Sequence, residues 1–261
     1  MYFRPTVNVY HWAWKCVFLC FIVTCAILPQ AQAKQVTFAV GHDHDKMLSA
    51  NYPIYRANWE FINESLNRLG YSVSVTTVPW ARAKNLVQSG MVDGLFLAAN
   101  LEGRDQWAVF SDVLGYGIFG TFYNTASPDA DGIIASIRVG EHDTLLAHYK
   151  SIETLEVATA QEGMRLLHLG KVDRLIMSES YGQYLLDTEL SEYDETIDFD
   201  LSIIERRTVH IAFAKYHKQS LEALDIVNQA IALGFEEDLY IPAMKRNGVP
   251  ERMWFKPDLT P

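Results

Sequence analysis

Two residues that could bind a small molecule, Trp80 and Arg104, each follow a segment that the sequence pattern predicts to be a β-strand. Ligands of open α/β sheets bind outside the carboxyl ends of the strands, so both side chains are candidates for a binding site. A guanidinium presents paired N–H donors that match a carboxylate. The alternative for Arg104 is a structural salt bridge with Glu102 or Asp105.

The segment 42–45, His-Asp-His-Asp, offers two imidazoles and two carboxylates, which are common metal ligands. Four consecutive residues rarely converge on one ion, so a polar loop is the favoured interpretation, and we expect no metal and no cofactor. His42, His142 and Glu179 could act as acid or base on a substrate. No nucleophile and base are paired by spacing, so we do not expect an enzyme.

The elements that carry these residues alternate between strands and helices. Apolar or alternating segments predict strands at 35–41, 71–78 and 91–99, and the apolar spacing predicts helices at 58–69 and 80–88. This order is typical of an α/β fold.

The second half continues the alternation. Strands are predicted at 136–140, 155–160, 174–178 and 208–215. The acidic segment 187–200 is expected to be a solvated surface.

The segment 78–111 resembles the type 2 periplasmic solute-binding proteins, in particular the extracellular solute-binding family 3, which includes amino-acid receptors. The shared pattern is a proline after a strand, a helix ending in Gly-x-x-Asp, an apolar strand, an arginine, and a serine beside the next strand. In this chain the matching residues are Pro79, Gly90, Asp93, Arg104 and Ser111. The resemblance extends over most of the chain after residue 34.

The resemblance implies the type 2 periplasmic-binding-protein-like α/β fold, in which two hinged lobes enclose a ligand cleft. Small, polar, turn-forming residues at 125–132 mark the change of lobe. We therefore expect lobe 1 at 34–124 with 216–261, and lobe 2 at 125–215. A second Gly-x-x-Asp, at 170–173, suggests that the two lobes are built alike.

The resemblance also implies the roles of individual residues. Arg104 matches the arginine that binds a ligand α-carboxylate, and Trp80 matches a side chain that lines the pocket. Tyr52 and Tyr55 are candidates for an aromatic face of the pocket, with packing on the first helix as the alternative. The other candidate ligand contacts are Asn100, Tyr116, Thr144, Ser178 and Glu179.

The chain departs from the amino-acid receptors at two of these positions. In those receptors an aspartate binds the α-ammonium group of the amino acid. At the matching position this chain has Ser178, with Glu179 next to it. Either Glu179 binds the ammonium, or the ligand has none there. Asn100 follows two alanines where the receptors place hydroxyl or backbone donors. Thr144, at a predicted helix start, could face an anionic ligand or only cap the helix.

Residues 1–33 have the features of a secretory signal peptide, with two basic residues, an apolar run at 16–28 and Ala-Gln-Ala before residue 34. We expect cleavage after Ala33; an uncleaved anchor and a lipoprotein modified at Cys25 are the alternatives. All three cysteines lie in this segment, so the mature chain needs no disulfide. It would carry 20 basic and 32 acidic residues, a formal net charge of −12 that disfavours nucleic acid as a partner.

These features predict a monomeric periplasmic solute-binding protein that closes around a small polar solute, an amino acid or a related carboxylate, for ABC-type uptake or sensing. Its expected partners are the solute and an inner-membrane ABC permease or sensor kinase. The alternatives are a dehydratase-like periplasmic enzyme on the same fold and a sensory subunit of a membrane signalling partner.

Overall fold

The computed structural model describes residues 34–41, 43–101, 103–130, 132–137, 143–149 and 153–257. The predicted signal segment and its cleavage site, together with His42, Glu102 and His142, lie outside these ranges. The described residues form one compact unit. Within the described ranges, no helix combines the length and the apolar composition that a bilayer span requires.

A group of three parallel strands forms the first part of a mixed sheet, with strand order β2-β1-β3. Its elements in chain order are β1 (Lys34–Val40), α1 (His44–Ser49), α2 (Pro53–Arg68), β2 (Tyr71–Thr77), α3 (Trp80–Gln88) and β3 (Gly94–Ala99). Helix α2 begins five residues before its predicted start. Proline is favoured at the first helical position, where no N–H is needed, and Pro53 therefore starts the helix, whose buried face begins at Ile54 and Tyr55.

A second group of three parallel strands lies at the other end of the sheet, in the order β8-β6-β7. Its elements are β6 (Ile133–Ser136), α4 (Asp143–Leu146), β7 (Glu153–Glu156), α5 (Ala160–His168), β8 (Arg174–Ser178) and α6 (Glu179–Thr188). The strand predicted at 136–140 is wrong in position, because β6 ends where that prediction began. The apolar residues of β6 directly follow the turn-forming segment 125–132, and the prediction left Ile133 to Ala135 outside the strand.

Two long strands join the groups, giving the order β2-β1-β3-β9-β5-β8-β6-β7. They are β5 (Gly115–Asn124) and β9 (Ile197–Ala214), which pair antiparallel, and the short β4 (Ala108–Phe110) pairs with β9. Helices α7 (Lys218–Glu236) and α8 (Tyr240–Arg246) then complete the chain and pack on α2. The strands of each group are therefore parallel, and the joining strands run against their neighbours.

The two Gly-x-x-Asp segments have the same local structure. Gly90 and Gly170 follow α3 and α5 at φ 69° and 61°, in the left-handed region that glycine adopts without strain. Asp93 Oδ2 accepts a hydrogen bond from the N–H of Thr37 at 2.8 Å, which fixes the helix end against β1. Asp173 Oδ2 makes the equivalent bond to the N–H of the first residue of β6 at 2.7 Å.

Candidate functional site

A cavity of about 630 Å³ lies beside the carboxyl ends of β1, β3 and β8, with β5 forming part of its wall. Six of its lining side chains are aromatic: Tyr52, Tyr55, Trp80, Phe96, Phe119 and Tyr181. Three are charged: Asp43, Arg104 and Glu156. A cavity with this size and this mixture of apolar walls and few charges suits a small organic ligand.

Arg104 lies in this wall on a short 3₁₀ turn, Arg104–Gln106, that follows Gly103 at φ 76°. The residue is buried, with 8% of its surface exposed. Its Nη1 donates a hydrogen bond to the carbonyl oxygen of Ala99 at 2.9 Å. Since a guanidinium can serve several acceptors at once, this bond orients Arg104 and is compatible with carboxylate binding.

The beginnings of two helices bring aromatic side chains to the cavity. Trp80 starts α3 directly after Pro79, and both residues line the wall. Tyr52 and Tyr55 lie at the start of α2, are buried, and also line the wall. Each tyrosine therefore packs inside the fold and also borders the cavity, and its contact with a ligand stays a prediction.

Tyr55 is also hydrogen-bonded to a histidine. Its hydroxyl lies 2.6 Å from Nδ1 of His44, a buried residue whose ring contacts Trp59 edge-on at 4.6 Å between centroids. Burial lowers the pKa of His44 and raises the pKa of Tyr55, so the pair is neutral at neutral pH. His44 therefore orients the Tyr55 hydroxyl from the first residue of helix α1, and the interpretation of 42–45 as a polar loop is wrong at this residue.

Among the described residues, no group of three His, Cys, Asp or Glu side chains could hold a metal ion.

The opposite wall comes from the second strand group. Ser178, at the end of β8, lines the cavity together with Ser180 and Tyr181 at the start of α6. Thr159 and Gln161, at the start of α5, line it as well. Hydroxyl and amide groups, together with the ring of Tyr181, therefore border the same cavity as the aromatic side chains that α2 and α3 supply.

The structure thus brings together Arg104, Trp80, Tyr52, Tyr55 and Ser178. The four other candidates do not line this cavity. Tyr116 faces away because successive residues of a strand point to opposite sides, and it is Gly117 and Phe119 of β5 that border the cavity. The guanidinium of Arg206 covers the Tyr116 ring at 3.6 Å from its centroid.

The last three candidates are engaged elsewhere. The carboxylate of Glu179 accepts hydrogen bonds from Nη2 of Arg252 at 2.9 and 3.1 Å, within an ion pair. Asn100 is exposed, and its N–H donates to the carbonyl of Thr208 at 2.9 Å. Thr144 is exposed and accepts a hydrogen bond from Arg207 at 3.3 Å.

Three residues of the wall were missed by the sequence reasoning although signals for them existed. Asp43 follows the first strand and was grouped with a metal hypothesis, yet the strand-end rule that selected Arg104 applies to it equally. Phe119 lies on the same strand as Tyr116, three positions further. Tyr181 lies one helical turn beyond Ser178, on the same side of α6.

A second depression, of about 590 Å³, lies on the surface beside α2 and α8. Its residues Glu60 and Arg246 form an ion pair with each other. Glu60 accepts hydrogen bonds from Nε of Arg246 and from the side-chain amide of Asn247, both at 2.8 Å. We therefore place the candidate site in the first cavity.

Several solved structures of similar fold are sensor or binding domains. The chain resembles a histidine kinase sensor domain with similarity to periplasmic binding proteins, at TM-score 0.65 and 16% identity, over 83% of this chain and 97% of that one. It resembles the Bordetella pertussis BvgS periplasmic VFT2 domain at TM-score 0.64 and 14% identity, over 93% and 99%. It also resembles the substrate-binding protein of an amino acid ABC transporter, at TM-score 0.57 and 15% identity, over 81% and 98%.

No family model matches the sequence, and no curated protein matches it either. The structural similarity agrees with the parallel strand groups, the long joining strands and the cavity beside the strand ends. It confirms the fold expected from the segment 78–111. The chain therefore has the mixed α/β, two-lobed Venus flytrap fold of periplasmic-binding-protein-like domains.

Proposed function

We propose that this chain binds a small carboxylate, an amino acid or a related acid, in the cavity that contains Arg104. The observation that carries the proposal is a buried guanidinium in the wall of a cavity large enough for such a ligand. Trp80, Tyr52 and Tyr55 enclose the body of the ligand, and Ser178 contacts it from the opposite wall. The proposed lobes, 34–124 with 216–261 and 125–215, close around the ligand.

A ligand ammonium group, where there is one, is bound by Asp43 or Glu156. Glu179 is a poor candidate because its carboxylate is already paired with Arg252. Asp43 lies in the cavity wall and raises the pKa of Tyr181, after the larger effect of burial, so its negative charge is felt at the opposite wall. The cavity therefore offers charges of both signs, as an α-amino acid requires.

We propose that the protein acts in the periplasm after removal of residues 1–33, as a monomer. Its partner is an inner-membrane ABC permease or a sensor kinase. Similarity to both a histidine kinase sensor domain and a transporter's binding protein supports these two roles equally. A permease gene or a histidine kinase gene beside this one distinguishes uptake from sensing.

The test is thermal unfolding of the purified protein with amino acids, organic acids, polyamines and short peptides. A ligand at a thousand times its Kd stabilises the folded state by about 4 kcal/mol, which shifts the melting temperature measurably. Carboxylates should stabilise the protein, and Arg104→Ala should weaken their binding at least about tenfold, as expected for losing a charged hydrogen bond.

Glu179→Gln is the matched control, because Glu179 lies outside the cavity wall. We expect this variant to keep its affinity for carboxylates within about twofold. Full affinity in Arg104→Ala would exclude the carboxylate clamp. Chemical turnover of a bound compound, measured separately as heat release after mixing, would instead favour the enzyme alternative.

A further inference from the structure

Leu97 has a backbone conformation that leucine rarely adopts. Its φ is 55°, and among the described non-glycine residues only Asp238 shares a positive φ. In this region the Cβ atom crowds the following carbonyl oxygen, so the conformation costs free energy in any residue except glycine. Such strain persists only where the surroundings enforce it, and it is concentrated at functional sites.

A β-bulge enforces the conformation of Leu97. In the ladder between β3 and β9, Leu95 pairs with Ala212 and Ala98 pairs with His210. Strand β3 therefore has two residues where β9 has one. An extra residue of this kind bends the strand and redirects its side chains.

The two residues of the bulge, Phe96 and Leu97, both border the cavity. Residues after the bulge are held as well, because the Ala99 carbonyl accepts from Arg104 and the Asn100 N–H donates to β9. Leu97 is thus fixed close in the chain to the proposed carboxylate clamp.

We propose that Leu97 determines specificity, and that it selects carboxylates whose remainder is apolar. The inference rests on the proposed function, since it presumes that Arg104 binds the carboxylate. Leu97 belongs to an apolar wall with Phe96, Leu101, Phe119 and Ile137. A polar group placed against this wall would lose its hydrogen bonds to water without replacing them. An apolar group there would instead be removed from water favourably.

The experiment is calorimetric titration of the purified protein with two sets of named probes. The apolar set is phenylalanine, leucine and phenylacetate, and the polar set is glutamate, aspartate and succinate. We expect at least one apolar probe to bind about tenfold more tightly than every polar probe. Leu97→Ala and Leu97→Gly should both weaken that probe at least about tenfold, as expected for losing several buried methyl and methylene groups. Asparagine tolerates the left-handed region, and Leu97→Asn should make the difference in affinity between apolar and polar probes smaller still.

A second measurement tests the backbone conformation. Leu97→Gly removes both the side chain and the strain, whereas Leu97→Ala removes only the side chain beyond Cβ. We therefore expect Leu97→Gly to melt at a higher temperature than Leu97→Ala. Asp238→Gly is the control for strain relief away from the cavity, and it should leave the preference among probes unchanged.

The outcomes separate this inference from the function beneath it. Carboxylates that bind with a polar preference, or a preference that survives all three substitutions at Leu97, overturn the inference and leave the proposed function standing. An alanine variant at least as stable as the glycine variant also overturns it. Absence of binding by any probe, in a protein that melts cooperatively, overturns both.

Discussion

His210, a buried residue of β9, uses both nitrogens of its ring in hydrogen bonds. Nδ1 lies 2.7 Å from the carbonyl oxygen of Ser111, and Nε2 lies 2.8 Å from the hydroxyl of Thr208. Because a carbonyl only accepts, Nδ1 carries the proton and Nε2 accepts from the threonine. Burial lowers the pKa of His210 below its ordinary value of 6.5, as it does for His44.

These two histidines predict a pH dependence of stability. Above pH 6.5 they are neutral in both the folded and the unfolded protein, so their contribution is complete. As the pH falls below 6.5, the unfolded chain binds protons that the folded protein excludes, and the free energy of unfolding decreases. Urea unfolding at pH 7.5, 6.5 and 5.5 measures this loss above the range where most carboxylates titrate.

Substitution identifies the source of the effect. His210→Gln should remove part of the pH dependence, whereas His148→Gln, at an exposed position, should leave it unchanged. A free energy of unfolding that is constant over this range would contradict the assignment. So would an unchanged slope in a variant that lacks both buried histidines.

At single positions, the sequence predicted which residue types lie near the cavity better than it predicted the direction in which each side chain points. The residue types after each strand located Arg104, Trp80 and Ser178 in the wall of one cavity. The alternation along β5 left two choices of face, and Tyr116 was assigned to the wrong side of the strand relative to this cavity. Pairing of Glu179 with Arg252 joins positions 73 residues apart, which no local pattern reveals.

Each helix that precedes a Gly-x-x-Asp is followed by a glycine with positive φ, but the two glycines have different surroundings. A Cβ added at Gly170 meets no atom within 4 Å. A Cβ added at Gly90 would lie 2.2 Å from Nε2 of His217. The same substitution therefore probes backbone strain alone at one position, and strain together with a steric clash at the other.

Gly170→Ala should cost about 1 kcal/mol of stability, the strain of a left-handed alanine. Gly90→Ala should cost about 3 kcal/mol, because the imidazole of His217 must also move. Urea denaturation of the two variants gives the comparison. The substitution His217→Ala removes the imidazole ring. In that variant, Gly90→Ala should cost about as much stability as Gly170→Ala does. Equal costs in the presence of His217 would contradict the packing at Gly90.

Most elements of the first half were predictable because their apolar spacing is regular, and α3 begins and ends at its predicted residues. Helix α1 was missed, because His44 and Asp45 were interpreted as part of a polar loop. Strand β9 was not predictable in full. Its first half alternates between exposed and half-buried residues and is interrupted by a bulge opposite Gly120 of β5. The acidic residues at 187–200 predicted a solvated surface. The structure instead places the start of β9 within this segment, at Ile197. Pairing with β5 overrides the local pattern there.

Across the whole molecule, two kinds of contact join the first helices to α6. Tyr52 stacks on Tyr55 at 5.5 Å and on Tyr184 at 5.3 Å between ring centroids. This stack of rings therefore connects the start of α2 to α6. Lys46 and Glu189 form an ion pair at 3.0 Å, with 46% and 30% of their side chains exposed. Exposed pairs contribute little in water, so the aromatic stack should dominate.

Tyr52→Ala should therefore destabilise the protein by about 3 kcal/mol, as expected for removing a buried aromatic ring. A double-mutant cycle of Lys46→Ala and Glu189→Ala should give a coupling energy below about 1 kcal/mol. Chemical denaturation measures both quantities. A coupling energy above the cost of Tyr52→Ala would mean that charge, rather than aromatic packing, joins these helices.

The position of β9 in the sheet has a consequence for how the chain reaches its native state. Gly94 of β3 pairs with Phe213, and Gly115 of β5 pairs with Val209, so both partners arrive about a hundred residues later in the sequence. Until then β3 and β5 present unpaired edges, which are prone to association with other chains. Folding should accordingly be slow for a chain of this size, with formation of β9 as its late step.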